Sequence, residues 1–213
     1  MWWRRSQPLR LRFLLTMTVV IASAMSQVAQ AQSNRLSPGR SVEYEIEDQP
    51  GQVPNAADEQ LPAAFQRQIV FYRTAEPPGT IIVDTEQRFM YLVQPDNRAM
   101  RYGIGVGRDG FQWAGLLKIT RKAEWPDWVP PPEMIQRQPY LPRFMAGGPG
   151  NPLGARAMYL GGTVYRIHGT NQPETIGHAV SSGCFRLVNG DVIDLYERVP
   201  VGTRVVVRHS PKL

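Results

Sequence analysis

From Ile69 to Thr120 the chain is cut every few residues by glycine, proline and Asx clusters into runs too short for helices, and this punctuation most restricts its fold. Ile69 to Tyr72 leads into the turn Glu76-Pro77-Pro78-Gly79; Thr80 to Asp84 and Arg88 to Val93 follow, the latter with Phe89, Tyr91 and Val93 on one face. After Pro95-Asp96-Asn97, Met100, Tyr102, Ile104 and Val106 alternate along a fourth strand, and Leu116 to Thr120 reads as a fifth. Ala157 to Leu160 turns at Gly161-Gly162 into a strand that ends at His168, and Thr203 to Val207 is a last strand after the turn Val201-Gly202. Asn189 caps the one clear helix, with Asp191 and Asp194 early, Val192, Leu195, Tyr196 and Val199 as its apolar stripe and Pro200 as its stop. The expected fold is mainly β, a meander of short strands ordered from about Gln68.

Gly105 to Gly110 matches G-x-G-x-x-G by letter. A dinucleotide site requires a helix to open there, whereas Phe111 to Gly115 has poor helix chemistry and a strand follows, so the glycines read as a bend and loop. Ala123 to Pro152 is rich in proline and glycine, with Trp125, Trp128, Tyr140 and Phe144 interspersed. Two readings stand: a flap shaping a substrate groove, or a structural loop whose tryptophans pack on the sheet.

The first 31 residues do not belong to this core. Arg4, Arg5, Arg10 and Arg12 precede an apolar run from Phe13 to Ala24 and the A-x-A site Ala29-Gln30-Ala31, the pattern of a secretory signal peptide. An uncleaved anchor is the competing reading, against which the run is shorter than the roughly 20 residues that span a bilayer. Export to the periplasm or cell envelope is therefore expected, without stable membrane insertion after cleavage. Residues 32 to 64, polar and carrying Glu43, Glu45, Glu47 and Asp48, read as a flexible linker. Setting aside the four arginines of residues 1 to 31 lowers the formal charge from +6 to +2, and no basic run with interleaved aromatics points to nucleic acid.

Chemistry concentrates in Tyr165 to Arg186. This stretch holds Cys184, the chain's one cysteine, and two of its three histidines, His168 and His178. A thiol with an ordinary pKa of about 8.5 is mostly protonated at neutral pH and needs a base, for which His168 is the candidate. Ser181-Ser182-Gly183-Cys184 is a small-residue turn whose N–H groups, those of Gly183 and Cys184, could hold an oxyanion; Ser181 and Ser182 could bond near the thiol or satisfy the turn. Arg186, two residues on, can pair bidentately with a carboxylate, and Tyr159 lies opposite the strand ending at His168 as a groove residue. His168, His178 and Cys184 could supply three metal ligands. Their spacing fits no usual zinc pattern and nothing completes the set, so neither metal nor cofactor is expected.

The run His168-Gly169-Thr170-Asn171, then Ser181 to Leu187 and Asn189 to Tyr196, resembles the active-site block of the L,D-transpeptidase catalytic domain family, cysteine enzymes that remodel bacterial peptidoglycan. The likeness extends from about Gln68 to Val207, taking in Gly79 to Asp84 and Gly147-Gly148-Pro149-Gly150-Asn151-Pro152 to Tyr159. Many members carry a histidine where this chain has Ser182. The resemblance implies a single β-sandwich or barrel-like catalytic domain over residues 65–210, with one short helix after the cysteine. It also implies that the Gly169 carbonyl orients His168, that Arg186 binds the donor stem or braces the turn, and that peptidoglycan stem peptides are the partners. Cys184 would attack the bond between the third residue and terminal D-alanine of a tetrapeptide stem, and transfer to another stem's amine would give a 3-3 cross-link. A water acceptor would make a carboxypeptidase, a protein amine would anchor an envelope protein, and a vestigial site would leave a wall-binding module. Oligomeric state is left open.

Overall fold

The computed structural model describes residues 49–56 and 59–209, all within Ile46–Leu213, the second of the chain's two compact units. The expected signal peptide, its cleavage site and the acidic cluster from Glu43 to Asp48 lie outside the described residues. Among the described residues, no helix is long and apolar enough to cross a membrane.

The meander appears as β1 (Gln68–Phe71), β2 (Ile81–Asp84), β3 (Phe89–Gln94) and β4 (Arg98–Gly103), with β3 antiparallel to both β2 and β4. β1 is an edge strand paired only with β4 in the sheet order. That position explains why Ile69 and Phe71, an apolar run in sequence, are 55% and 73% exposed. β3 is buried on both faces: Met90 and Leu92 enter the main core, while Phe89, Tyr91 and Val93 join a smaller cluster with Ile82 and Ala99.

β5 (Val106–Gly107) continues from β4, and β6 (Gly115–Glu124) is the long strand of the fold. Its first half pairs with β11 (Arg204–Arg208) and its second half with β7 (Arg156–Leu160), with a register shift between Ile119 and Arg121. The nine-stranded order is β1-β4-β3-β2-β11-β6-β7-β8-β10, where β8 is Arg166–His168 and β10 is Phe185–Arg186. The last strand in sequence therefore lies in the middle of the sheet, parallel to β2. β9 (Ala179–Ser181) pairs with β5 in a separate two-stranded sheet.

Two helices of more than one turn are described. α1 (Pro132–Arg137) lies within the 123–152 segment, and α2 (Asn189–Arg198) follows the cysteine. Val192 and Leu195 of α2, with Val199 at its C-cap, join Tyr102, Ile104, Met158, Ile167 and Phe185 in one core that spans both halves of the sheet. Lys122 Nζ donates to the carbonyls of Tyr196 and Val199 at 2.6 and 2.8 Å, closing the end of α2. Val188, rather than Asn189, stands at the N-cap position of α2, with no side-chain capping bond.

Contacts begin before the expected start at Gln68. Asn171 Nδ2 donates to the carbonyls of Gln49 and Gln52 at 2.7 and 3.1 Å, and the Gly51 N–H donates to Gly150 O at 2.9 Å. Leu61 packs with Ile176, Val188 and Phe65. Residues 49–52 and Leu61, expected in the linker, are thus laid against the loops around the site.

Candidate active site

His168 ends β8, where its backbone pairs with Ala157 of β7 on one side and Arg186 of β10 on the other. β8 and β10 run parallel, so Cys184, one residue before β10, comes next to Arg166 along the same ladder. This register brings together two side chains 16 positions apart in sequence: both line one open cleft. Arg166, Ser181, Ser182 and Arg186 line the same cleft.

The imidazole is 4% exposed, and its Nδ1 lies 2.6 Å from the Gly169 carbonyl. A carbonyl only accepts, so Nδ1 carries the hydrogen and Nε2 keeps its lone pair. Desolvation, then the charge of Arg186, pushes the His168 pKa down to about 3, against a smaller opposite effect of the Gly169 bond. At neutral pH the ring is uncharged and can serve as a base. Gly169 is itself anchored, its N–H donating to Arg156 O at 3.0 Å.

The cysteine turn is held from beneath. Ser181 Oγ donates to Cys184 O at 2.6 Å and accepts from the Gly183 N–H at 3.2 Å. Gly183 has φ +102°, and a Cβ there would stand 2.7 Å from the Tyr165 ring. Trp113 stacks on that ring with centroids 4.5 Å apart and donates from Nε1 to Gly183 O at 2.9 Å. Gly107 backs the same turn, since a Cβ on it would lie 3.1 Å from Gly183 Cα. The G-x-G-x-x-G letters thus serve a strand and a turn leading to β6, and no helix opens there.

The remaining site residues take varied positions. Cys184 is a thiol outside any disulfide, half-buried, with Sγ 3.9 Å from Val164 O. Ser182 accepts from Arg137 of α1 at 3.0 Å. Arg186 is 2% exposed and its backbone exchanges hydrogen bonds with Gly105 at 2.9 Å. Tyr159 is not among the residues lining the cleft; it sits on β7 opposite Arg166. His178 is exposed and outside the cleft.

The 123–152 segment walls the cleft. Trp128, Met134 and Leu153 face it from a small hydrophobic cluster of their own that includes Leu141, while Trp125, Tyr140 and Phe144 are exposed. The flap reading thus holds for one tryptophan, and packing of the tryptophans on the main sheet does not describe the segment. Asn189 was expected to cap a helix. Instead its Oδ1 accepts from the Ala155 N–H at 2.8 Å and its Nδ2 donates to Thr170 O at 3.1 Å, tying the turn before β7 to the turn after His168. Trp113 and Arg137 carried no sequence signal that set them apart, because each reaches the cysteine turn from a distant part of the chain, whereas Arg166, two residues before His168, is set beside Cys184 by the β8–β10 pairing.

The YkuD family, described as the L,D-transpeptidase catalytic domain, matches residues 78–207. A probable L,D-transpeptidase, ErfK/SrfK of Escherichia coli K12, is 39% identical over 140 residues, covering 62% of this chain and 44% of that protein. A putative L,D-transpeptidase of Fuscovulum blasticum is 45% identical over 130 residues and is covered to 68% of its length. The chain spans less than half the length of the E. coli relative. Among solved structures, a Brucella melitensis protein described as a probable carnitine operon oxidoreductase is 49% identical over 72% of this chain and all of that one, with a TM-score of 0.47. The Ldtfm-avibactam carbamoyl enzyme shares the fold at a TM-score of 0.51 and 21% identity, covering 63% of this chain and 50% of that one. With more than half its length matched by that family, the chain belongs to the L,D-transpeptidase catalytic domain family.

Proposed function

We propose that this protein is a cysteine acyltransferase of peptidoglycan, an L,D-transpeptidase in which Cys184 is the nucleophile and His168 the base. The observation that carries the reading is a neutral imidazole, its Nδ1–H held by the Gly169 carbonyl so that Nε2 keeps its lone pair, lining one cleft with the chain's one thiol. The uncharged ring can accept the thiol proton at Nε2, and because burial makes it a weak base the transfer accompanies the attack rather than preceding it as a stable ion pair.

In the proposed reaction Sγ attacks the carbonyl of the third residue of a tetrapeptide stem as its proton passes to His168 Nε2. The tetrahedral oxyanion is held by the Cys184 N–H and by the Gly183 N–H, which would exchange Ser181 Oγ for it; removing one such donor typically lowers the rate by about 10²–10³. His168 returns the proton to the departing D-alanine amine as the C–N bond breaks, leaving a thioester. An acceptor amine then attacks the thioester, gives its proton to the imidazole, and releases the thiol with a new amide. With a stem side-chain amine as acceptor the product is a 3-3 cross-link. Neither metal nor cofactor enters the scheme. Following the sequence features of residues 1 to 31, the work would be done after export.

Mass spectrometry after incubation with a tetrapeptide muropeptide tests this. The expected result is a Cys184 adduct with released D-alanine in the wild type, and neither in Cys184→Ala, whose melting temperature stays close to the parent's. Turnover by Cys184→Ala would overturn the assignment.

A further inference from the structure

Cross-strand register sets a second group of side chains beside Cys184 that the acyl-transfer scheme does not use. Arg121 on β6 opposes Tyr159 on β7, and Tyr159 opposes Arg166 on β8. Residues opposed in register share one face of a sheet. The two guanidinium carbons lie 3.6 and 5.4 Å from the Tyr159 ring centroid, and Arg166 also lines the cleft with Cys184.

Two cations gathered at one ring repel each other unless an anion joins them. Among the described residues neither has a carboxylate partner; Glu124, the acid on β6, is engaged by Arg156 at 3.2 Å. Arg166 Nε is buried without a hydrogen-bond partner. Such a row favours a ligand that brings negative charge, and a guanidinium fork suits a carboxylate.

We propose that Arg166, Tyr159 and Arg121 form a carboxylate-binding track that seats an acidic peptide running from Cys184 across β8, β7 and β6. The proposal rests on the reading that Cys184 acylates on a peptide, and it specifies which peptide class is accepted. At about 4.8 Å per strand, Arg166 lies one strand from the cysteine and Arg121 three, roughly 14 Å away, the span of about four extended residues. A short peptide with one carboxylate near the reacting carbonyl and another toward its far end matches that spacing. Arg166 holds the near acid, Arg121 the far one, and the Tyr159 ring keeps both forks in place.

The test uses the full chain carrying Cys184→Ala, so that binding is measured without turnover. Calorimetric titration compares a synthetic stem tetrapeptide bearing free carboxyls with the same peptide fully amidated. The free form is expected to bind about tenfold more tightly, with Arg166→Gln and Arg121→Gln each reducing that preference and Arg121→Lys keeping most of it. Equal affinity for the two peptides, or a preference that survives both glutamine substitutions, overturns the track, and the comparison of peptides on the unsubstituted track does not depend on any variant folding. Adduct formation by the wild type is scored separately. An adduct without carboxylate preference defeats the track alone, and carboxylate preference without an adduct supports the track while defeating the acyl-transfer reading.

Discussion

The protonation state of one imidazole decides which chemistry this cleft can perform. A histidine with an ordinary pKa of 6.5 would lose base function on mild acidification; at about 3, His168 stays neutral well below that point. The acylation rate is therefore expected to show no break near pH 6.5 on its acid side and to fall only toward pH 3, measured as adduct formation by quenched mass spectrometry. A break near 6.5 would mean that the buried, Arg186-flanked environment does not act on the working enzyme. At this scale the sequence was informative about identity and poor about state. Cys184, His168 and the Gly183 turn were legible from residue type and order. The depressed basicity was not, because burial and the approach of Arg186 are properties of the folded ladder.

Among the elements, the turn after β8 and the turn before β7 are joined by a side chain rather than by sheet pairing. Asn189 satisfies the Ala155 N–H and the Thr170 carbonyl and also donates to Glu59 at 3.0 Å. Truncation leaves buried polar groups unpaired, so Asn189→Ala is expected to lower stability by about 2 kcal/mol and to slow acylation by loosening the Gly169 carbonyl, read by denaturant melts and adduct kinetics. Asn189→Asp, which keeps the acceptor but sets a carboxylate oxygen against Glu59 and the Thr170 carbonyl, should be at least as destabilising as the alanine variant. Sequence reasoning placed this residue at the cap because Asn before a helical stripe usually plays that part. The same reasoning found the meander strands, β1 among them, since alternation and turns are local; that the apolar side chains of β1 lie exposed on a sheet edge follows only from the strand order.

For the whole molecule, two buried groups set opposite dependences of stability on pH. Between about 3 and 6.5 the unfolded chain binds a proton at His168 that the folded chain rejects, so its contribution is present above 6.5 and is lost as pH falls. Asp191, raised by burial from 3.8 to about 6, contributes the reverse: stability present below 3.8 and lost as pH rises through about 6. Asp191→Asn is expected to be about 2 kcal/mol more stable than the parent at pH 7, with the gain vanishing below pH 3.8, as measured by denaturant melts at each pH. A variant no more stable at pH 7 would show that the Arg67 contact at 3.7 Å offsets the burial of this carboxylate.

By itself the sequence determined the mainly β character, the helix after the cysteine, the catalytic candidates and the family, because turns, alternation and short motifs are written in neighbouring residues. Only the tertiary structure decided that β11 enters the middle of the sheet, that β8 and β10 pair in parallel to bring residues 168 and 184 to one cleft, and that residues 49–52 lie against its loops. Strand order and register depend on which distant apolar faces bury one another, and local propensity carries no record of that choice.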